Sequence, residues 1–176
     1  AQEDASKSYY AVYPSTVNHS LEGGVMSVTI PEIQDGTLSS ASISLAVSTG
    51  EDAHFRFRNL CGLIKFSAAS EDIKSVTFKG AGGEDLVGTV NVTGFDEETG
   101  APAFGEVSDG KKTVTLELDG RTGIFYVALL PGLTLENGFS VSFEMKDGAQ
   151  TVLDDAKSDY AVTFTRSGYN TFGNIV

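Results

Sequence analysis

The chain has 176 residues, of which 40% are hydrophobic, and its 24 acidic and 12 basic side chains give a net charge of −12 at neutral pH. This length and apolar content can close a folded core, which argues against wholesale disorder. The excess negative charge repels phosphate groups and anionic lipids, so it argues against nucleic-acid binding and peripheral membrane docking. Basic partners, glycans and other proteins remain open.

The sequence contains no apolar run long enough to cross a bilayer as a helix. Its longest, Ile124–Leu130, has seven residues, whereas about 20 are needed. Residues 1–4 are polar and resemble no part of a leader peptide, so we expect any such leader to have been removed or never to have been present. Cys61 is the single cysteine, which excludes an intramolecular disulfide but identifies no compartment.

Apolar and polar side chains alternate along most of the chain. Ile43, Leu45 and Val47 alternate with small residues, and the same period recurs over 113–118 and 139–146. A period of two is typical of half-buried strands in antiparallel sheets, and no window predicts an amphipathic helix. In chain order the predicted strands are Tyr9–Tyr13, Val25–Ile30, Ile43–Val47, Ala53–Arg58, Leu63–Ser67, Ile73–Lys79, Leu86–Val92, Thr113–Leu118, Ile124–Leu130, Phe139–Lys146, Gln150–Leu153, Tyr160–Thr165 and Tyr169–Val176.

Turn signals separate many of these strands. Asp-Gly and Asn-Gly pairs tolerate the positive φ angles of tight turns. Such pairs stand at 35–36, 109–110, 119–120, 137–138 and 147–148. Many short strands between turns favour an all-β sandwich with Greek-key connections.

The small, polar stretch 48–52 is one plausible domain seam. The residues before it hold about three predicted strands, too few for an independent sandwich. We therefore interpret residues 1–52 as the C-terminal part of an N-terminal β domain, or a buttress from it. Residues 53–176 are predicted to form one complete sandwich domain.

No residue pattern predicts a catalytic, cofactor or metal site. His19, His54 and Cys61 lack the spacing of zinc ligands. We interpret His54 as an exposed strand residue and Cys61 as a small buried hydrophobic residue. The glycine-rich stretch 80–83 is predicted to be a hairpin loop rather than a phosphate loop, because a strand and not a helix follows it.

Clusters of acidic residues are interpreted as solvated loop charge, because none has the alternating spacing of a calcium loop. The clusters stand at 71–72, 84–85, 96–98 and 154–155.

A series of short sequence segments, taken in chain order, resembles the fimbrillin-like (Mfa-like) pilus-subunit and adhesin family of the Bacteroidetes. The segments are Tyr9–Pro14, Val28–Gln34, Phe57–Phe66, Ile73–Phe78, Leu86–Thr89, Phe125–Gly132, Asn137–Phe139 and Thr163–Arg166. The resemblance implies transthyretin-like β-sandwich domains in a non-catalytic lipoprotein of the cell surface or outer membrane, displayed or polymerised as a pilus component. Family members have a longer N-terminal domain and a lipidated cysteine near the start, and this sequence departs from both.

The resemblance also implies assembly by strand exchange with other pilus subunits or with further copies of the chain. The C-terminal tail, residues 168–176, has no charged side chain and suits a donated or edge strand. The candidate contact residues in it are Tyr169, Thr171, Phe172, Ile175 and Val176. The alternative is that the tail closes its own sheet. If the tail makes the contact, we expect deletion of Tyr169–Val176 to abolish self-association while the sandwich stays folded.

The sequence leaves three classes of function open. The first is a structural or adhesive pilus subunit. The second is a monomeric surface module that binds a glycan or host protein through exposed aromatic side chains such as Tyr9, Tyr10 and Tyr160. The third is an enzyme, such as a glycoside-hydrolase-related domain, which requires facing carboxylates in a concave pocket.

Overall fold

The computed structural model describes residues 8–49, 54–96, 98–153 and 160–175. These residues form an all-β structure with one short helix, which confirms the predicted all-β class, while the Greek-key connections and the transthyretin-like topology stay predictions. The strands are β1 Ser8–Tyr13, β2 His19–Glu22, β3 Val25–Ile30, β4 Ile33–Gln34, β5 Ser44–Thr49, β6 Arg58–Asn59, β7 Gly62–Ala68, β8 Ile73–Gly80, β9 Val87–Phe95, β10 Pro102–Lys111, β11 Thr113–Glu117, β12 Gly123–Leu129, β13 Thr134–Leu135, β14 Phe139–Met145, β15 Gln150–Leu153, β16 Val162–Thr163 and β17 Tyr169–Ile175, and the helix is α1 Leu38–Ala41.

The strands are arranged in sheets of two to five strands. The five-stranded sheet has the order β15-β14-β8-β11-β4, and the four-stranded sheet has the order β10-β9-β3-β2. The tail sheet has the order β12-β7-β17, and two smaller sheets contain β1-β5-β6 and β13-β16. Neighbours pair antiparallel except for β4 beside β11 and β17 beside β7, which are parallel.

The core lies between the five-stranded sheet and the tail sheet. Phe66 of the tail sheet packs against Phe78 of the five-stranded sheet with ring centroids 5.5 Å apart. Along β7 buried side chains alternate with half-buried ones, so one face of the strand supplies the core. Buried residues of the four-stranded sheet, such as Val28 and Val90, belong to the same hydrophobic cluster.

Residues on both sides of the proposed seam share three sheets, one of which joins β5 to β6. Strand β3 pairs with β9 over Met26–Ile30, and β4 pairs with β11. The amide group of Gln34 fixes β4 further, because it accepts a bond from the Ala128 N–H and donates to the Ala128 carbonyl, both inside the core. The division into 1–52 and 53–176 stays a prediction.

Strand β10 is the main correction to the predicted elements, since no strand was predicted between 92 and 113. Register shifts interrupt its pairing with β9, and most of its side chains are exposed. The Asp109-Gly110 pair, predicted as a turn, lies inside β10 at one of these irregularities, where Asp109 has φ +52°. A bulge uses the same positive φ as a tight turn, so the dipeptide alone does not distinguish them.

Two predicted strands are much shorter than expected. In the stretch 53–58 the described residues 54–57 are exposed and unpaired, and only Arg58 joins a strand, pairing with Leu45 of β5. The Phe-Arg-Phe alternation there does not produce a buried face, because Phe55 and Phe57 are both exposed. In the stretch 160–165 only Val162–Thr163 pair, with β13.

The short elements β2, β4, β13 and α1 were not predicted. The helix is a single turn capped by the Thr37 hydroxyl, which accepts from the Ser40 N–H at 3.3 Å. Four residues are too few to show an amphipathic period, so a search for helical periodicity cannot find such a turn.

The glycine-rich stretch 80–83 contains the last residue of β8 and the start of a loop, but the loop is not the predicted hairpin. It connects β8 of the five-stranded sheet to β9 of the four-stranded sheet, and these strands do not pair. A Cβ atom at Gly80 or Gly82 would lie 2.4–2.5 Å from the Glu84 carboxylate. The glycines therefore make room for that side chain at the crossover between sheets.

Candidate functional site

The tail forms the edge strand of the tail sheet and pairs with β7 of its own chain. The pairing is parallel, with Tyr169 opposite Leu63 and Thr171 opposite Lys65. Just before it, the Gly168 carbonyl accepts from the Leu63 N–H at 3.0 Å. The structure thus shows the arrangement in which the tail completes its own sheet.

Over residues 169–173 of the tail, exposed residues alternate with half-buried ones. Tyr169 is 60% exposed, and the Lys65 ammonium lies 5.6 Å from the centroid of its ring. Phe172 packs edge-to-face on Phe139 of the five-stranded sheet, with ring centroids 4.6 Å apart. A register shift between Thr171 and Asn174 places Phe172 at the irregular part of the strand.

This packing bears on what removal of the tail would do. Deleting the tail removes the Phe172–Phe139 contact and uncovers one edge of β7, so a folded sandwich is no longer the simple expectation for that variant. The Ile175 backbone lies opposite Ala68, and Val176 lies outside the described residues. The role of the five tail residues in subunit contacts stays a prediction.

A cavity of about 570 Å³ lies at another part of the molecule, between the β1–β5 pair and the turn between β9 and β10, whose described residues are Asp96 and 98–100. Tyr10 and Val47 line it from the paired strands, where they are directly opposite in register. His54 and Arg56 line it from the unpaired segment before β6. Because the lining comes from distant parts of the chain, no single local motif predicts the whole cavity.

The turn at the cavity is fixed by its own hydrogen bonds. The Asp96 carboxylate accepts from the Thr99 N–H at 2.7 Å and from the Thr99 hydroxyl at 2.6 Å. The Gly100 N–H donates to the Asp96 carbonyl, and Gly100 has φ +67°. The Arg58 Nε donates to the Thr99 carbonyl at 2.7 Å, which ties the turn to β6.

These bonds also stabilise the charged form of the Asp96 carboxyl group. The hydrogen bonds from the Thr99 hydroxyl and backbone N–H lower the pKa of Asp96 below its ordinary value. Asp96 therefore stays ionised to a lower pH than an ordinary aspartate and accepts the Thr99 bonds as a carboxylate. A general acid needs the opposite shift, so Asp96 does not fit that role in a glycosidase.

The aromatic lining of the cavity is a pair of rings. Tyr10 is half-buried, and its ring centroid lies 6.2 Å from that of Phe95 at an interplanar angle of 42°. Phe95 and the turn residues Asp96, Thr99 and Gly100 were missed as site residues. The Asp-x-x-Thr-Gly spacing is a turn signal that could have located this wall.

The three tyrosines of the proposed shallow platform do not all share one face. Tyr9 and Tyr10 are neighbours on β1 and therefore point to opposite sides of it. Tyr10 lines the cavity, whereas Tyr9 is 47% exposed and does not line it. Tyr160 is 82% exposed and stands just before β16.

The two histidines and the cysteine differ in their elements and in their exposure. Cys61 is buried as predicted, and burial raises the pKa of its thiol, so the reactive thiolate form is disfavoured. His54 is exposed but lies outside any strand, and His19 is an exposed residue of β2. Within the described ranges, no group of three or more His, Cys, Asp and Glu side chains is placed to hold a metal ion.

No helix in the described part of the chain is long and apolar enough to span a membrane.

Comparison with known proteins identifies a similar fold. No family model matches the sequence, and no curated protein matches it. The structure is similar to that of a Bacteroides ovatus protein described as a "putative cell adhesion protein", with a TM-score of 0.53 and 16% sequence identity. The match covers 94% of this chain but 61% of that chain. At this identity the likeness shows the fold alone.

Proposed function

We propose that the chain is a non-catalytic cell-surface protein of the fimbrillin-like family that acts as a structural or adhesive subunit of a pilus at the outer membrane. The observation that carries the proposal is the fold shared, over 94% of this chain, with the Bacteroides ovatus protein described in terms of cell adhesion. The sequence segments that resemble the fimbrillin-like family, in the same order along the chain, support the same assignment.

The mode of assembly that we propose is strand exchange through the tail. Strand β17 pairs with β7 on one side and is the edge of its described sheet. If the tail leaves β7, it uncovers a row of unpaired N–H and C=O groups that the same segment of another copy can fill. The exchanged contact repeats the contacts made within one chain, so exchange costs little apart from the change in the connecting segment.

The distribution of charge favours this contact over other surfaces. The chain carries a net charge of −12, which opposes close approach of two copies. Residues 168–176 carry no charged side chain, and β7 carries a single one, Lys65. The proposed contact is therefore a neutral-to-basic area on an acidic protein.

The catalytic alternative has less support from the cavity. A hydrolase of the glycosidase type needs one carboxyl group held protonated beside a second that is ionised. In the cavity Asp96 is bound by Thr99 and its pKa is lowered. Glu98 is the other described carboxylate of the lining, and it is exposed.

A disulfide that locks the tail onto its own chain tests the proposal. Lys65 and Thr171 are opposed in register and line the same surface groove, so Lys65→Cys and Thr171→Cys place two thiols on adjacent strands. Paired strands lie about 4.8 Å apart, within the Cα separations that disulfides accept. We expect the oxidised double variant to stay monomeric under conditions in which the unmodified chain assembles, measured by light scattering.

The reduced double variant and the two single variants are the matched controls. Each should assemble like the unmodified chain, because their tails remain free to exchange. Assembly of the oxidised, fully cross-linked double variant to the same size as the reduced form would refute strand exchange through the tail.

A further inference from the structure

We propose that the cavity between the β1–β5 pair and the turn residues Asp96 and 98–100 binds a neutral sugar residue of a glycan. The inference rests on the proposed surface function and names the chemistry by which such a protein would recognise a partner. It assigns the recognition site to a part of the molecule away from the tail.

The size and form of the cavity suit a small polar ligand. Its volume of about 570 Å³ falls inside the range of about 300–1,000 Å³ typical of ligand clefts. One wall is the paired strands β1 and β5, and the other is a turn held by the bonds among Asp96, Thr99 and Arg58. A wall that is already ordered loses little conformational entropy when a ligand binds.

The chemical lining combines an aromatic pair with groups that donate and accept hydrogen bonds. Tyr10 and Phe95 supply the aromatic part. The negative π face of an aromatic ring attracts the polarised C–H groups on one side of a pyranose ring. Arg56 and His54 supply donors, and Glu98 supplies an acceptor, which suits the hydroxyl groups around the sugar's edge.

The charge of the lining favours a neutral ligand. Arg56 opposes a cationic ligand, while Asp96 and Glu98 together with the net charge of −12 oppose an anionic one. A neutral ligand with several hydroxyl groups is repelled by neither set of charges and can still form many hydrogen bonds with the lining. A hexose or an N-acetylhexosamine meets this description, whereas a sialic acid or an acidic peptide does not.

The test is a titration of the isotopically labelled full chain, followed by backbone amide NMR. The probes are methyl β-D-galactopyranoside, methyl α-D-mannopyranoside and the methyl glycoside of N-acetylglucosamine, with N-acetylneuraminic acid as the charged comparison. We expect at least one neutral glycoside to cause saturable shifts centred on Tyr10, Phe95 and residues 99–100. Absence of shifts with all three, shifts centred elsewhere, or tighter binding of the acid would overturn the inference.

Substitutions at Tyr10 of β1 and at Arg56 before β6 test the cavity, and one at Tyr9 tests the opposite face of β1. Tyr10→Leu keeps an apolar side chain against Phe95 but removes the ring face and hydroxyl, and Arg56→Ala removes an exposed donor. Each should weaken binding of the glycoside about tenfold, the size of effect expected for one charged or aromatic contact. Tyr9→Leu, on the other face of β1, is the matched control and should leave the affinity unchanged.

The result also separates this inference from the proposed function. If Arg56→Ala and a folded Tyr10→Leu variant bind like the unmodified chain, the sugar site is wrong. Assembly through the tail is measured independently with the locked double-cysteine variant, so it can stand or fall without the cavity.

Discussion

The tail and the cavity are two contrasting ways in which this molecule offers a surface to a partner. The tail is an uncharged edge strand whose Phe172 packs on Phe139 across the core. The cavity is lined by charged and aromatic groups and is open to solvent before any ligand arrives. A partner of the tail must replace contacts that stabilise the fold, whereas a ligand of the cavity replaces only water.

The contrast separates stability from recognition. Substitutions in the tail that reach the core should change the free energy of unfolding together with any assembly. Substitutions of exposed cavity residues should change binding and leave the fold largely as it is. Experiments that report only a loss of binding would confuse these two cases.

The largest effect on stability is expected for Phe172→Ala. The substitution removes an edge-to-face ring contact with Phe139 and part of the core lining, and a half-buried phenylalanine of this kind contributes about 2–3 kcal/mol. Chemical denaturation should show a lower midpoint with an unchanged slope. Tyr169→Ala, an exposed aromatic on the same strand, is the control and should cost about 0.5 kcal/mol. Equal losses for the two variants would mean that Phe172 does not anchor the tail.

A smaller effect, dependent on pH, is expected for Asp96→Asn at the cavity. Because the folded state lowers the pKa of Asp96, its carboxylate contributes stability at pH values above the ordinary value of about 3.9. That contribution is lost as the pH falls through the lowered pKa. The variant should melt at a lower temperature than the unmodified chain at pH 7, and the difference should shrink below about pH 4.

The control for this experiment is Asp109→Asn, which removes a carboxylate on β10 away from the Asp96–Thr99 turn. It should not reproduce the pH-dependent difference. A gap between Asp96→Asn and the unmodified chain that stays constant from neutral to acidic pH would show that the Thr99 bonds do not stabilise the ionised form.

The alternating pattern predicted the strands of the core well, because burial of one face imposes it. Phe139, Val141 and Phe143 are buried and the residues between them are not, as the period of two requires. Strand β10 was missed because register shifts and exposure on both faces remove the alternation. The same physical rule explains both outcomes, since apolar and polar residues need to alternate only where one face of a strand is buried.

The candidate sites were less predictable, because they depend on contacts between distant segments. The tail was recognisable as a strand, but its parallel pairing with β7 and the Phe172–Phe139 contact are tertiary facts. At the cavity, pairing of β1 with β5 sets Tyr10 opposite Val47, and the bond from Arg58 to Thr99 adds the turn. Sequence spacing carries none of this information.

The most direct test of the account is whether the tail of one chain can pair with β7 of another. Chains carrying Lys65→Cys alone are mixed with chains carrying Thr171→Cys alone, allowed to assemble and oxidised with diamide, while Cys61 stays buried. Strand exchange predicts a disulfide that joins one chain of each kind, detected by mass. If that mixed species is absent although the double variant closes its disulfide within one chain, assembly through the tail is contradicted.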